Sequence, residues 1–377
     1  MKRLMALFMC ASLILLFCGC TSLFMKKDTL IELKVSSESS DNSTVASNVT
    51  IDQYDLLFHG ILLAYDQNSN ISILTQTEIS SSNMYSSKLL SYQNGTFYTL
   101  FSSDTEFSEA RIDPNTHDIY FKQRDSQTDT SALYWANIQG DTKVRLCEDV
   151  YDNYLAWDFT AESNLVYVDK DNRIMLGTKD GQTAVFTLDK TYAVKEITYS
   201  AEANMLLLIA STSQTSNILY RIDLNTDPAL SAIDVNVNDF TFSEKTGAAA
   251  YTKTTSGGDD QLYIYNYQSY LREYLCSGYI EKLSFSPDGT YIAFATKATS
   301  EIPTQSIWII RHDASIPIQI TANTLLNSDI VWLNNGSGII FTTSDASDVQ
   351  TGVQTEYNTY YLQFSFENTE SDAVGEK

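Results

Sequence analysis

Few residues of this chain are spaced for chemistry. Its three histidines, His59, His117 and His312, are far apart and have no Cys/His cluster beside them, which excludes a zinc-type site. Asp169-Lys170-Asp171-Asn172 and Gly257-Gly258-Asp259-Asp260-Gln261 put oxygen ligands into polar turns, but neither has the D-x-[DN]-x-[DN]-G order of a calcium loop. No G-x-S-x-G elbow provides a nucleophilic serine. Glycosidase chemistry needs two carboxylates about 5–10 Å apart across a cleft. With 47 acidic residues chance pairs abound, and the sequence nominates none. We therefore assign no catalytic residue, no metal site and no cofactor. What remains is a set of tyrosines, Tyr151, Tyr154, Tyr192 and Tyr279, with the turn carboxylates Asp259 and Asp260. Tyrosines flanked by short polar residues bury contact area at low entropic cost. The competing reading is that tyrosine, present 24 times, simply caps strand ends.

The elements that would position these residues come from a repeat. An apolar or aromatic residue, a polar turn and a short apolar run recur with marks at Tyr65, Ile112, Phe159, Tyr199, Phe242, Phe285 and Trp332, 40 to 47 residues apart. Tyr65 is the weakest copy. A strand-rich period near that length is the signature of a propeller blade. The expected fold is all-β: a β-propeller of seven four-stranded antiparallel blades, with six or eight left open. Runs such as Ile292-Ala293-Phe294-Ala295 and Leu206-Leu207-Leu208-Ile209-Ala210 are apolar on both faces, as a sheet between two neighbours requires. Gln139-Gly140-Asp141 and Lys179-Asp180-Gly181-Gln182 predict hairpins between third and fourth strands. Leu89 to Phe97 falls only about 20 residues before Ile112 and is read as outer strands of the first blade. The last repeat lacks a strand. A strand from the N-terminal region should complete it and remove exposed edges. Leu30–Val35 and the Val49, Ile51, Tyr54 stretch both have the strand period. Second-to-third-strand loops and interblade links emerge on one side, so the tyrosines and Asp259/Asp260 fall on one candidate binding face.

Lys2 and Arg3 precede an uncharged apolar stretch from Leu4 to Phe17, too short for a spanning helix and right for a secretory signal. It ends Leu16-Phe17-Cys18-Gly19-Cys20-Thr21-Ser22, which resembles the lipobox of bacterial lipoproteins, with Phe17 and Cys18 as departures. The resemblance implies that Cys20 is diacylated and becomes the N-terminus, with membrane attachment through the lipid. The expected organisation is 1–19 signal peptide, 20–52 anchored Ser-rich tether with the candidate closing strand, 53–366 propeller and 367–377 charged tail. Phe285-Ser286-Pro287-Asp288-Gly289 with Ile292-Ala293-Phe294 resembles the WD40-like (PD40) repeat of TolB-type propellers, a family of envelope proteins and peptidase propeller domains. That resemblance covers about residues 55–366. It implies a fold and a habit of binding, not a reaction.

The formal net charge is −23; removing residues 1–19 leaves 22 basic against 47 acidic residues, or −25. Such a surface repels polyphosphate and excludes nucleic acid as a partner. Beyond Cys20, only Cys147 and Cys276 remain, and their repeat phase puts them on blades three apart, too distant for a disulfide. Both are read as small buried hydrophobes. The expectation is an extracytoplasmic, lipid-anchored, non-catalytic scaffold for a protein or envelope polymer. The rival is a propeller enzyme acting on glycans or lactones through channel carboxylates, with Ca²⁺ as an option. The sequence does not give the oligomeric state.

Overall fold

The computed structural model describes residues 48–79, 85–125, 127–147, 150–151, 155–160, 163–225, 227–297, 304–313, 316–322, 324–344 and 356–367. The chain divides into Met1–Glu32 and Leu33–Lys377, and all described residues belong to the second unit. The signal, Cys20, Leu30–Val35 and the tail beyond Glu367 lie outside the described residues.

Each of the seven marks falls within the last two residues of an innermost strand, where the apolar run gives way to a polar turn. Those strands are Ile61–Asp66, Glu106–Ile112, Trp157–Phe159, Ala193–Ser200, Val237–Ser243, the end of Arg272–Phe285, and Val331–Trp332. They open blades 1 to 7. In blade 1, Ile61–Asp66 pairs outward with Ile71–Ile79, Tyr85–Gln93 and Thr96–Ser103, so the irregular Leu89–Phe97 stretch is its third and fourth strands. Blades 2 to 6 repeat the antiparallel order, and both forecast hairpins join third to fourth strands. Blades 5 and 6 share one 14-residue strand, Arg272–Phe285, which is outermost in blade 5 and innermost in blade 6.

Blade 7 is completed from the other end of the chain. Asn48–His59 pairs antiparallel with Tyr357–Glu367, from Asn48↔Glu367 to His59↔Asn358. The Val49–Tyr54 stretch, one of the two candidates, is therefore in the closing strand, which begins within the 20–52 segment expected to carry it. The seam to blade 1 is polar and fully buried. Thr359 Oγ1 donates to the Gly60 carbonyl at 2.9 Å and lies 2.7 Å from Thr342 Oγ1, which accepts the Leu62 amide at 2.9 Å. Gly60 has φ +138°, and a Cβ there would sit 2.5 Å from Leu74 Cδ1, so the turn from closing strand to blade 1 requires glycine.

Cores lie between blades. Ile73 and Leu89 of blade 1 meet Phe107 and Phe121 of blade 2; Leu206 and Leu208 of blade 4 meet Val166 and Ile174 of blade 3. Ala293 and Ile307 of blade 6 meet Phe341 and Leu362 of blade 7, while Leu62 and Leu74 meet Leu333 and Ile340 across the closing seam. Ile292, Ala293, Phe294 and Ala295 are all 0% exposed, which explains the run without alternation. Each buried Leu, Ile or Phe contributes about 1.5–3 kcal/mol. Cys147 and Cys276 are both buried, and burial pushes the Cys276 thiol up to about 12.

A buried ion cluster ties the rims of blades 4 and 5. The Asp234 carboxylate accepts from Tyr251 Oη at 2.9 Å and Lys253 Nζ at 2.6 Å, with Arg272 Nη1 at 3.2 Å. Burial alone would raise Asp234. Bonds from Lys253, the Val235 amide and Tyr251 outweigh it and hold the carboxyl below its usual range. A depressed folded pKa gives stability that is present above the unfolded value and lost as pH falls through the folded one. Asp234→Asn should therefore cost about 1–3 kcal/mol at pH 7, since Lys253 and Arg272 partly reach solvent. In urea titrations the wild-type advantage should vanish as the pH drops below the ordinary carboxylate range. An advantage unchanged down to pH 2 would refute the ionic account.

Candidate functional site

The innermost strands build the site. Their side chains alternate: Ala110, Trp157, Ile197, Phe240 and Ile330, two residues before the marks, are at most 7% exposed and enter the interblade cores. In most blades the residues one and three before the marks take the other direction. The third-residue column contains Glu109, Glu196, Asp239, Lys282 and Asp329 and the neighbouring column Arg111 and Asp158, whereas Leu62, Ala64 and Ala156 at equivalent positions of blades 1 and 3 pack into interblade cores. In blades 2, 4 and 5 a β-bulge immediately precedes Glu109, Glu196 and Asp239, a device that re-aims a side chain.

These groups share one space. Asp329 of blade 7 acts electrostatically on Arg111 of blade 2, Glu196 of blade 4 and Asp239 of blade 5. Side chains of Arg111 and Asp329 are 40% and 72% exposed although they lie at the middle of the ring, so the columns line a solvent-accessible channel.

Most channel charges bridge neighbouring blades. Arg111 Nε donates to Asp158 Oδ1 at 3.3 Å, and Thr198 Oγ1 donates to Asp158 Oδ2 at 2.7 Å, joining blades 2, 3 and 4. Glu109 accepts from Trp157 Nε1 at 2.7 Å and pairs with Lys122 at 2.5 Å. Lys195 Nζ donates to the Asn238 carbonyl, and the Leu283 amide to Asp239 Oδ2 at 3.3 Å. Lys282 Nζ donates to Asp329 Oδ1 at 3.1 Å. The surrounding channel walls oppose ionisation of Asp329, but Lys282 and Arg111 hold its carboxyl below the ordinary value.

Glu196 is the exception. Among the described residues its carboxyl has no hydrogen-bond or ion-pair partner. Burial, then the negative charge of Asp239 on the next blade, raises it well above the usual range, against a smaller opposing effect of Lys195. Asp239 is itself raised by burial. Two adjacent blades thus present carboxyls that resist simultaneous ionisation.

The turn-bearing faces differ. On the side of the first-to-second-strand turns, side chains stitch blade to blade: Asn334 Nδ2 to Asn68 Oδ1 (3.0 Å), His117 Nδ1 to Asp66 Oδ2 (3.2 Å), Ser163 Oγ to Asp113 Oδ1 (2.7 Å) and Ser200 Oγ to Glu244 Oε2 (3.0 Å). Of the sequence-selected residues, Tyr192, Tyr279, Asp259 and Asp260 lie on the opposite side. Tyr192 is half-buried edge-on against Tyr220, and its carbonyl accepts from Asn172 Nδ2 at 2.9 Å. Tyr279 is half-buried within the shared strand, opposite Lys297. Asp260 accepts from Asn238 Nδ2 and Thr254 Oγ1, both at 2.8 Å, whereas Asp259 is exposed. Tyr151 pairs with Thr130 through its backbone, and Tyr154 lies outside the described residues. Tyr192 and Asp260 fasten strand ends. The described part of the chain contains no group of three or more His, Cys, Asp or Glu placed to hold a metal.

No protein-family model and no curated protein matches the chain. Solved structures do match its fold. The β-propeller domain of the Trilobed protease from Pyrococcus furiosus aligns with TM-score 0.53 at 9% identity, covering 85% of this chain and all of that one. A prolyl endopeptidase aligns with TM-score 0.55 at 10% identity over 82% of this chain and 50% of its own. TolB from Acinetobacter baumannii aligns with TM-score 0.46 at 14% identity, over 67% of this chain and 63% of that one. The chain thus spans less than two thirds of the latter two. The fold is a β-propeller. At these identities the likeness shows architecture alone.

Proposed function

We propose that the protein is an extracytoplasmic β-propeller, anchored through lipidated Cys20, that acts as a non-catalytic binding scaffold. Its channel takes a cationic group presented by a protein or cell-envelope polymer. The observation that carries this reading is Glu196, a carboxyl left without a cation where neighbouring charges are engaged in bridging blades. An amine or guanidinium entering beside it would restore ionisation of Glu196 and gain a charge-assisted hydrogen bond. The net charge of −23 would steer such a ligand toward the surface. The resemblance to TolB-type propellers favours an envelope location, and the lipobox-like Phe17–Ser22 stretch favours anchoring at Cys20.

One observation favours the enzymatic alternative. A carboxyl held protonated beside a second one is how a general acid is poised for glycoside chemistry. The deciding experiment is affinity capture from detergent-solubilised envelopes with the full chain, its Glu196→Gln variant and a Tyr192→Ala/Tyr279→Ala variant. A scaffold should enrich a partner that is released by salt and lost at least tenfold with Glu196→Gln. Loss with the tyrosine variant alone would move the site to the link-bearing face. Glycan or lactone turnover abolished by Glu196→Gln would replace the scaffold reading with the enzymatic one.

A further inference from the structure

A second site is carried by the closing strand. Asn48–His59 is the last strand of its sheet, and no strand among the described residues pairs with its outer edge, although the His59 carbonyl at its end accepts from Gln76 Nε2 at 2.7 Å. Proteins usually blunt such an edge with lysine, proline, bulges or brevity. Blade 6 does so with a two-residue outer strand, Ile318–Gln319. The closing strand has neither lysine nor proline, and its two bulges, between Ile51 and Gln53 and between Leu56 and Phe58, leave Gln53–Leu56 as a regular run between them. Ile51, Tyr54 and Leu56 are 44%, 51% and 47% exposed, three of the ten large apolar side chains exposed among the described residues. They oppose Phe364, Leu362 and Tyr360, which pack into the core between blades 6 and 7, so the three point to one flank of the sheet. Tyr54 is fixed there by stacking on Tyr360 at 4.9 Å and 7°. The charges on this edge have one sign. Asp52 and Asp55 are exposed, neither meets a cation, and the paired strand Tyr357–Glu367 contributes only Glu367.

We propose that this edge binds an extended peptide of alternating apolar and basic residues, contributed by another protein, as a fifth strand of blade 7. Backbone hydrogen bonds along the free edge provide affinity, and alternate side chains select the partner. Apolar positions cover Ile51, Tyr54 and Leu56, while lysines or arginines meet Asp52 and Asp55. A second copy of the chain is disfavoured, because antiparallel pairing of two such edges opposes aspartates to aspartates on molecules that each carry −23.

The test uses the full chain in neutral detergent micelles and two acetylated nine-residue peptides, alternating Val with Lys or Val with Glu. Amide hydrogen exchange of Asn48–His59 should slow at least tenfold with the Val–Lys peptide and not with the Val–Glu peptide. Tyr54→Lys/Leu56→Lys should lose the effect, and Glu196→Gln should keep it, which separates this site from the channel. No protection by the Val–Lys peptide overturns the proposal. So does equal protection by both peptides, protection already complete without peptide at every dilution, which would place another part of the chain on the edge, or protection that rises with protein concentration alone, which would make the occupant a second copy.

Discussion

Glu196→Gln should make the protein more stable, not less, and only above the unfolded carboxylate range. The folded state holds the Glu196 proton more tightly than the unfolded chain does, because burial and then Asp239 disfavour the anion. That penalty on folding is absent below the unfolded carboxylate pKa and grows as pH rises to the folded one. Glutamine removes it while preserving shape. At pH 8 we expect a gain of about 0.5–2 kcal/mol, the usual range for relieving one unfavourable site. For a domain of this size it corresponds to roughly 1–6 °C in Tm. At pH 4 wild type and variant should coincide. The measurement is a thermal scan at both pH values. A variant less stable than wild type at pH 8 would make Glu196 a structural partner and remove the ground for a channel ligand. A stabilising change that abolishes capture is the expected signature of a residue kept for function at a cost to the fold.

Thr359→Val should loosen the ring where the two chain ends meet. The exchange is nearly isosteric, yet it leaves the Gly60 carbonyl without its donor and removes a partner of the Thr342 hydroxyl, all in a fully buried seam. Leaving buried polar groups unsatisfied costs about 1–3 kcal/mol. Urea titration should show a lower midpoint for Thr359→Val and for Thr342→Val, which also deprives the Leu62 amide of its acceptor. The double variant should cost less than the sum, as groups in one network do. Strict additivity would mean that the hydroxyls act independently and that apolar contacts among Leu62, Leu74, Leu333 and Ile340 hold the seam.

The propeller was legible because each blade repeats one local pattern: inner strand, polar turn, strand apolar on both faces. Even the weak mark at Tyr65 sits at an inner-strand end. The closing strand was legible from the alternation of Val49, Ile51 and Tyr54, though its partner Tyr357–Glu367 lies about 300 residues away. Channel carboxylates were expected only by the enzymatic rival, and their residues could not be named for a physical reason. Acidic residues read one at a time are indistinguishable from a solvated surface. Read in register, three residues before the marks, Glu109, Glu196, Asp239, Lys282 and Asp329 form a column, and that signal was present in the sequence. What could not be read is which of them lacks a partner. Pairings such as Arg111–Asp158 join residues 47 apart and depend on how side chains meet across blades.

The shared strand Arg272–Phe285 makes one junction of the ring unlike the others. Six blade junctions are crossed by a change of strand; between blades 5 and 6 one strand runs through, so unpairing its first half frays blade 5 and unpairing its second half frays blade 6. The strand is jointed rather than straight: it bulges at Leu275 and again at Lys282–Leu283, where Lys282 has φ +61°. Arg272, which meets Asp234 at the rim, and Lys282, which meets Asp329 in the channel, therefore sit about 10 residues apart on one covalent element, with a bend at each end of the path.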